Sequence, residues 1–112
     1  MTEVSFSGTR LQKLCNSAAK LRGEYGSRMA ALIQQRLSEL ADAETLSVMR
    51  TIPGAHCHEL GQNLKGHLAV TLVQPNRLLF RPGDNPIPRK PDGGLDWDQV
   101  RSVVIVGVGD YH

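Results

Sequence analysis

Leu68-Ala69-Val70-Thr71-Leu72-Val73-Gln74-Pro75-Asn76-Arg77-Leu78-Leu79-Phe80-Arg81 is the stretch that decides the fold. Apolar residues alternate through Leu68–Val73, Pro75-Asn76 breaks the run, and alternation resumes through Arg77–Arg81, the pattern of two strands joined by a turn. A period of two puts Arg77, Leu79 and Arg81 on one face of the second strand and Leu78 and Phe80 on the other. Just upstream, His58-Glu59-Leu60 opens the β region, and Leu64-Lys65-Gly66 marks a turn. Downstream, residues 82–98 are rich in Pro, Gly and charge, which predicts an exposed loop. Ser102–Val108 is then apolar on both faces, the signature of a strand inside a sheet.

Toward the start of the chain the period changes. Val4-Ser5-Phe6-Ser7 alternates and is read as a first strand. Leu11, Leu14, Cys15, Ala18 and Leu21 recur at three- and four-residue spacing, predicting one helix capped by Ser7 or Thr9. Gly23 and Gly26 interrupt it, and Met29, Leu32, Ile33, Leu37 and Leu40 mark the buried face of a second. Arg28, Gln34, Gln35 and Glu39 fall on its outer face. Two amphipathic helices with a short glycine-containing joint form an antiparallel hairpin. A short turn over 43–50 is stopped by Pro53-Gly54. The expected architecture is α+β, an N-terminal strand and helical hairpin packed on a small, mostly antiparallel sheet, with residues 1–112 as one domain.

Bulk properties agree with a single modest core. The chain has 112 residues, 40% hydrophobic and 21% charged, with a formal net charge of +2. That charge permits an anionic partner without requiring one. Between Lys65 and Arg81 the charged residues are all basic, namely Lys65, Arg77 and Arg81, so these cations are locally unopposed. Cys15 and Cys57 supply neither a disulfide framework nor a metal pair, and Cys15 is expected to fill core space. His56 and His58 share a strand face, yet nothing provides a clear second ligand pair, so no metal and no cofactor are expected. The first residues lack the basic and apolar regions of a signal peptide, and no apolar run is long enough to span a bilayer. A soluble cytoplasmic domain is expected. Trp97, between Asp96 and Asp98, is read as an anchor for the long loop.

The chemistry-bearing residues gather in a few places. The apolar strand of 102–108 runs into Gly109-Asp110-Tyr111-His112, delivering a carboxylate, a phenol and an imidazole together. All three hydrogen-bond, and such groups move protons near neutral pH once their surroundings tune them. With Lys65, Arg77 and Arg81 upstream, the set suits a metal-free site for phosphodiesters, because arginine holds two phosphate oxygens at once and keeps its charge. A solvated strand face is the plain alternative for the arginines, and a turn lysine for Lys65.

His58-Glu59-Leu60, Leu64-Lys65-Gly66, Asn76-Arg77-Leu78-Leu79-Phe80-Arg81 and Asp110-Tyr111-His112, in this order, resemble the HigB-type toxins of the RelE/ParE toxin–antitoxin superfamily. The resemblance implies a type II toxin, a ribosome-dependent messenger-RNA endonuclease that inhibits translation and needs no cofactor. It implies a cognate antitoxin, commonly with a helix-turn-helix domain, and the ribosome and messenger RNA as further partners. Carried over residue by residue, it implies Lys65, Arg77, Tyr111 and His112 as the catalytic group. Arg81, Asp110 and His58 would hold the substrate. Two other functions fit the same scaffold: a ParE-like inhibitor of DNA gyrase without nuclease chemistry, and a module that binds nucleic acid without cutting it.

Overall fold

In the computed structural model, residues 1–111 are described. The chain begins with β1 (Glu3–Phe6), followed by helices α1 (Thr9–Cys15), α2 (Ala18–Tyr25) and α3 (Ser27–Asp42). A 3₁₀ turn at Leu46–Thr51 leads to the short β2 (His58–Glu59) and a second such turn at Gln62–Leu64. β3 (Leu68–Thr71), β4 (Arg77–Pro82), a turn at Trp97–Gln99 and β5 (Ser102–Gly109) complete the order. The five strands form one sheet, β1-β5-β4-β3-β2, antiparallel except for the parallel pair β1–β5. The expected α+β architecture is observed, and β5 lies inside the sheet as its two-sided apolar sequence predicts.

The first predicted helix is divided. α1 ends at Cys15, and Ser17 starts α2 by accepting a hydrogen bond from the Lys20 amide through its hydroxyl. A capping serine within an apolar period ends one helix and begins another, because its side chain satisfies an amide that would otherwise lack a partner. The helical hairpin is therefore α2–α3, hinged at Gly26, whose φ of 83° suits a residue without Cβ. α1 starts after Gly8 with no side-chain cap, so neither Ser7 nor Thr9 has the capping role.

The core lies between the helices and one sheet face. Leu21, Ile33, Leu40, Leu46 and Met49 pack against Leu68, Val70, Leu78, Phe80, Val103 and Ile105, all essentially inaccessible. The alternation in β4 holds: Leu78 and Phe80 join this cluster, while Leu79 is buried outside it and Arg81 is exposed. α3 departs from its apolar pattern most at Arg36. Arg36 is 5% exposed, whereas Leu32 and Leu37 are only partly buried. Its Nε donates to the Thr71 carbonyl (2.8 Å), Nη2 to the Gly54 carbonyl (3.0 Å) and Nη1 to Glu39 Oε1 (2.8 Å). Glu39 thus turns inward from the outer face to which the periodicity assigns it, because a buried guanidinium needs a countercharge and filled donors.

The loop between β4 and β5 is folded back rather than loosely exposed. Asp84 accepts from the amides of Arg101 and Ser102, and Arg89 pairs with Leu95. Trp97 is 5% exposed, donates Nε1–H to Glu59 Oε2 (3.0 Å) and carries the Arg50 guanidinium 3.8 Å above its ring. It is the anchor the sequence predicts. Among the described residues no helix is long and apolar enough to cross a membrane.

Two measurements follow from this packing. Arg36→Ala removes three hydrogen bonds and takes a buried side chain out of its packing, leaving Glu39 without its countercharge, so urea unfolding is expected to show a loss of about 2–4 kcal/mol. Burial pushes the Cys57 thiol up to about 12 and raises that of Cys15. Both are therefore protonated at neutral pH and expected to resist iodoacetamide in the native protein and react after denaturation, as read by mass spectrometry.

Candidate functional site

The sheet face away from the helical core carries the predicted site, and the strand register shows which residues share it. Partners directly opposite on neighbouring strands project to the same side. Thr71, Arg77 and Gly109 form one row across β3, β4 and β5. His58, Ala69, Leu79 and Gly107 form the next, across four strands. Arg81 and Val104 lie further along.

Gly107 and Gly109 reach this face through an irregularity. Phe80 pairs with Ile105 and Leu79 with Gly107, leaving Val106 without a partner on β4. Plain alternation from Ile105 would send Gly107 and Gly109 to the helical side, and the extra residue reverses that. The missing side chains matter. A Cβ on Gly107 would fall 2.6 Å from Tyr111 Oη, and one on Gly109 3.5 Å from the Tyr111 ring. Just beyond β5 the Tyr111 side chain lies over these two glycines. Arg77 holds it there, donating from Nη1 to the Tyr111 carbonyl (2.9 Å). Arg77 Nε is buried and has no hydrogen-bond partner among the described residues. A guanidinium fixed at one corner, with donors remaining, is a pre-positioned anion binder.

Opposite Tyr111 stands the turn between β2 and β3. Gly61, Gln62, Asn63 and Leu64, together with Asp110 and Tyr111, enclose a polar cleft of about 330 Å³. Gln62 adopts a φ of 54°, in the left-handed region that costs a side-chain-bearing residue conformational energy. Arg77, Asp110 and Tyr111 are therefore brought together. Lys65 follows the lining turn directly and is exposed at its rim. Arg81 shares the face but is exposed four residues along β4, about 13 Å from Arg77 at strand spacing, so the two do not form one clamp. His58 stands three strands from Gly107 in its row, and its Nδ1 lies 2.7 Å from the His56 carbonyl. His112 lies outside the described residues. Among those described, no group of three or more His, Cys, Asp or Glu side chains could hold a metal ion.

With fold and cleft in place, the chain can be set beside known structures. It matches a chain of the YoeB-YefM complex from Staphylococcus aureus with a TM-score of 0.56 and 16% identity, over 100% of this chain and 98% of that one. The architecture is a RelE/YoeB-type fold. No protein-family model matches the sequence, and no curated protein matches it significantly. At this identity the likeness is one of fold, and the chemistry rests on the residues of the cleft.

The turn residues Gln62 and Asn63 and the floor residue Gly107 were not singled out by the sequence. The usable signals were a Gly-Gln-Asn run just before Lys65 and two glycines in an otherwise apolar strand, which often mark a bulge or a close approach. Gly107→Ala tests the floor. Because the atom in its way is the tip of a side chain, thermal unfolding is expected to shift little. The Tyr111 ring resonances in NMR spectra should move as the phenol is displaced.

Proposed function

We propose that this protein is the toxin of a type II toxin–antitoxin system, an endoribonuclease of the HigB kind that cuts messenger RNA on the ribosome. The observation that carries the reading is the Arg77 guanidinium, bonded to the Tyr111 carbonyl and set beside the cleft of Gly61–Leu64, Asp110 and Tyr111. A cation bonded to the residue that carries the phenol, with a lysine directly after the turn that lines the cleft, supplies side chains that cofactor-free RNA cleavage asks for.

In that reaction the ribose 2′-oxygen attacks the neighbouring phosphorus, giving a phosphorane, and the P–O5′ bond breaks to leave a 2′,3′-cyclic phosphate. The 2′-proton goes to a base, and an acid protonates the departing 5′-oxygen. Arg77 meets the negative charge that grows on the non-bridging oxygens. Lys65, on a flexible stem at the cleft rim, either assists loss of the 2′-proton or shares the charge. Tyr111 offers a ring to stack on the base at the cut and a hydroxyl for proton transfer, with His112 as the further catalytic group. Asp110 positions the substrate. Arg81 and His58 serve as outlying contacts to the strand, Arg81 on a different phosphate from the one Arg77 holds.

The partners follow from the same reading. The similar chain comes from a YoeB-YefM complex, and by that analogy a cognate antitoxin neutralises this protein. The sequence resemblance to HigB-type toxins makes that antitoxin HigA-like, with a helix-turn-helix domain, and the pair cytoplasmic. The ribosome presents the messenger RNA.

The test is tightly induced expression of the wild type beside Arg77→Ala and Tyr111→Ala, with messenger-RNA 5′ ends mapped across the transcriptome. Wild type is expected to stop growth and create new ends inside translated codons. Each variant should cut at least about a hundredfold more slowly, the usual cost of losing a donor to a developing oxyanion. Growth arrest with no new RNA ends would instead indicate a gyrase inhibitor. RNA binding without arrest or cleavage would indicate a non-cutting module.

A further inference from the structure

Tyr111 is a wall of two cavities, not one. On one side is the polar cleft described above. On the other is a hollow of about 350 Å³ beside the part of β5 that runs past β1, whose last partner is Ile105. Its walls include Leu11, Leu14, Val106 and Val108, with Arg10 and a second phenol, Tyr25. The pKa of Tyr25 is raised, mainly by burial and further by Glu24, Cys15 and Tyr111, so it stays a neutral hydrogen-bonding ring. A third hollow, about 320 Å³, continues across α1 and α2, lined by Arg10, Lys13, Leu14, Lys20, Gly23 and Glu24. It shares Arg10, Leu14 and Glu24 with the second.

The three spaces thus abut in series, and their character alternates. The first is polar and bounded by Tyr111, whose carbonyl Arg77 holds, the second has apolar walls and two aromatic rings, and the third presents three cations against one carboxylate. Among the described residues Arg10, Lys13 and Lys20 form no ion pair and all three are exposed. Gly23 leaves the floor of the third hollow open, with nothing within 4 Å of where a Cβ would stand. Single strands of nucleic acid repeat an anionic backbone and a flat aromatic base, and a cationic groove with stacking rings is the complement of that repeat.

We infer that this series of hollows is the track of a single RNA strand, with one unstacked base held between Tyr25 and Tyr111 and the phosphates beyond it on Arg10, Lys13 and Lys20. The inference rests on the nuclease reading, because it starts from a phosphodiester placed at Arg77. It adds a second contact region on the helices and assigns Tyr25 as a binding residue outside the cutting machinery.

The test measures equilibrium binding of fluorescein-labelled 2′-O-methyl RNA, which cannot be cleaved, to the full-length protein. One probe is an oligomer of about ten nucleotides, within the span such grooves cover, and the other is a dinucleotide. For the double variant Lys13→Ser/Lys20→Ser, affinity for the oligomer should fall about tenfold or more at low salt, while the dinucleotide binds as before. The slope of log affinity against log salt should drop by about 1.4, since each single-strand phosphate contact contributes about 0.7. Tyr25→Ala should weaken the oligomer about tenfold and Tyr25→Phe should restore it. Unchanged affinity and slope in all of these, with Arg77→Ala still weakening the oligomer, overturns the track and leaves the nuclease reading standing. Weakening that is equal for a duplex RNA of the same length also overturns it, pointing to a structured-RNA contact. A wild type that holds neither probe, and whose induction creates no RNA ends, overturns the nuclease reading and the track with it.

Discussion

Everything near the candidate site depends on one buried cation. Arg36 sits in the helical layer, yet its guanidinium reaches the carbonyl of Thr71 at the end of β3 and that of Gly54 in the preceding turn. Thr71 is the neighbour of Arg77 across the sheet, and Arg77 is the neighbour of Gly109. A single side chain therefore joins α3 to the row of residues that carries the cleft. Apolar packing alone would set the distance between helix and sheet but only loosely fix their sliding. Two directed bonds from a planar fork, to Thr71 and Gly54, remove that freedom, and Glu39 on the same helix makes the buried charge tolerable.

The cleft is built by the same economy. Arg77 neutralises no carboxylate in the described contacts; it holds a backbone carbonyl and so orients the tyrosine that follows β5. Gly107 and Gly109 provide the flat surface, and the unpartnered Val106 turns that surface to the right side of the sheet. Removing any one of these elements leaves the others without purpose. The strand, the bulge and the arginine are a single device for placing one aromatic ring between two cavities.

Much of this was legible beforehand, and the reasons are particular. The β4 alternation had to be right because Leu78 and Phe80 need the core while Arg81 needs water. β5 was legible as an inner strand because Val103 to Val106 are apolar on both sides, with Val103 and Ile105 buried and Val104 and Val106 half-buried. The anchoring of Trp97 could be expected from a large aromatic residue in a polar loop. Three features were hidden. Ser17 lies in an apolar period, and only its hydroxyl chemistry ends the helix there. Arg36 looks like surface when read by polarity, since its partners are carbonyls distant in sequence. The bulge reverses a parity count, and no periodicity can report its own interruption. Of the site, the residue types were legible, whereas the separation of Arg77 from Arg81 and the role of the Gln62–Leu64 turn needed three dimensions.

The parallel pair β1–β5 has a consequence in time. It joins Glu3–Phe6 to Ser102–Ile105, segments about a hundred residues apart in sequence, and closing so long a loop slows folding because its entropic cost falls due before its contacts form. During synthesis, a growing chain that has already made its helices and β3–β4 still lacks the glycine floor, the tyrosine and the partner of β1. The cleft therefore comes into being late, after the segments it borrows from both halves of the chain are available. The cleft is thus a property of the closed sheet and of no smaller part of it.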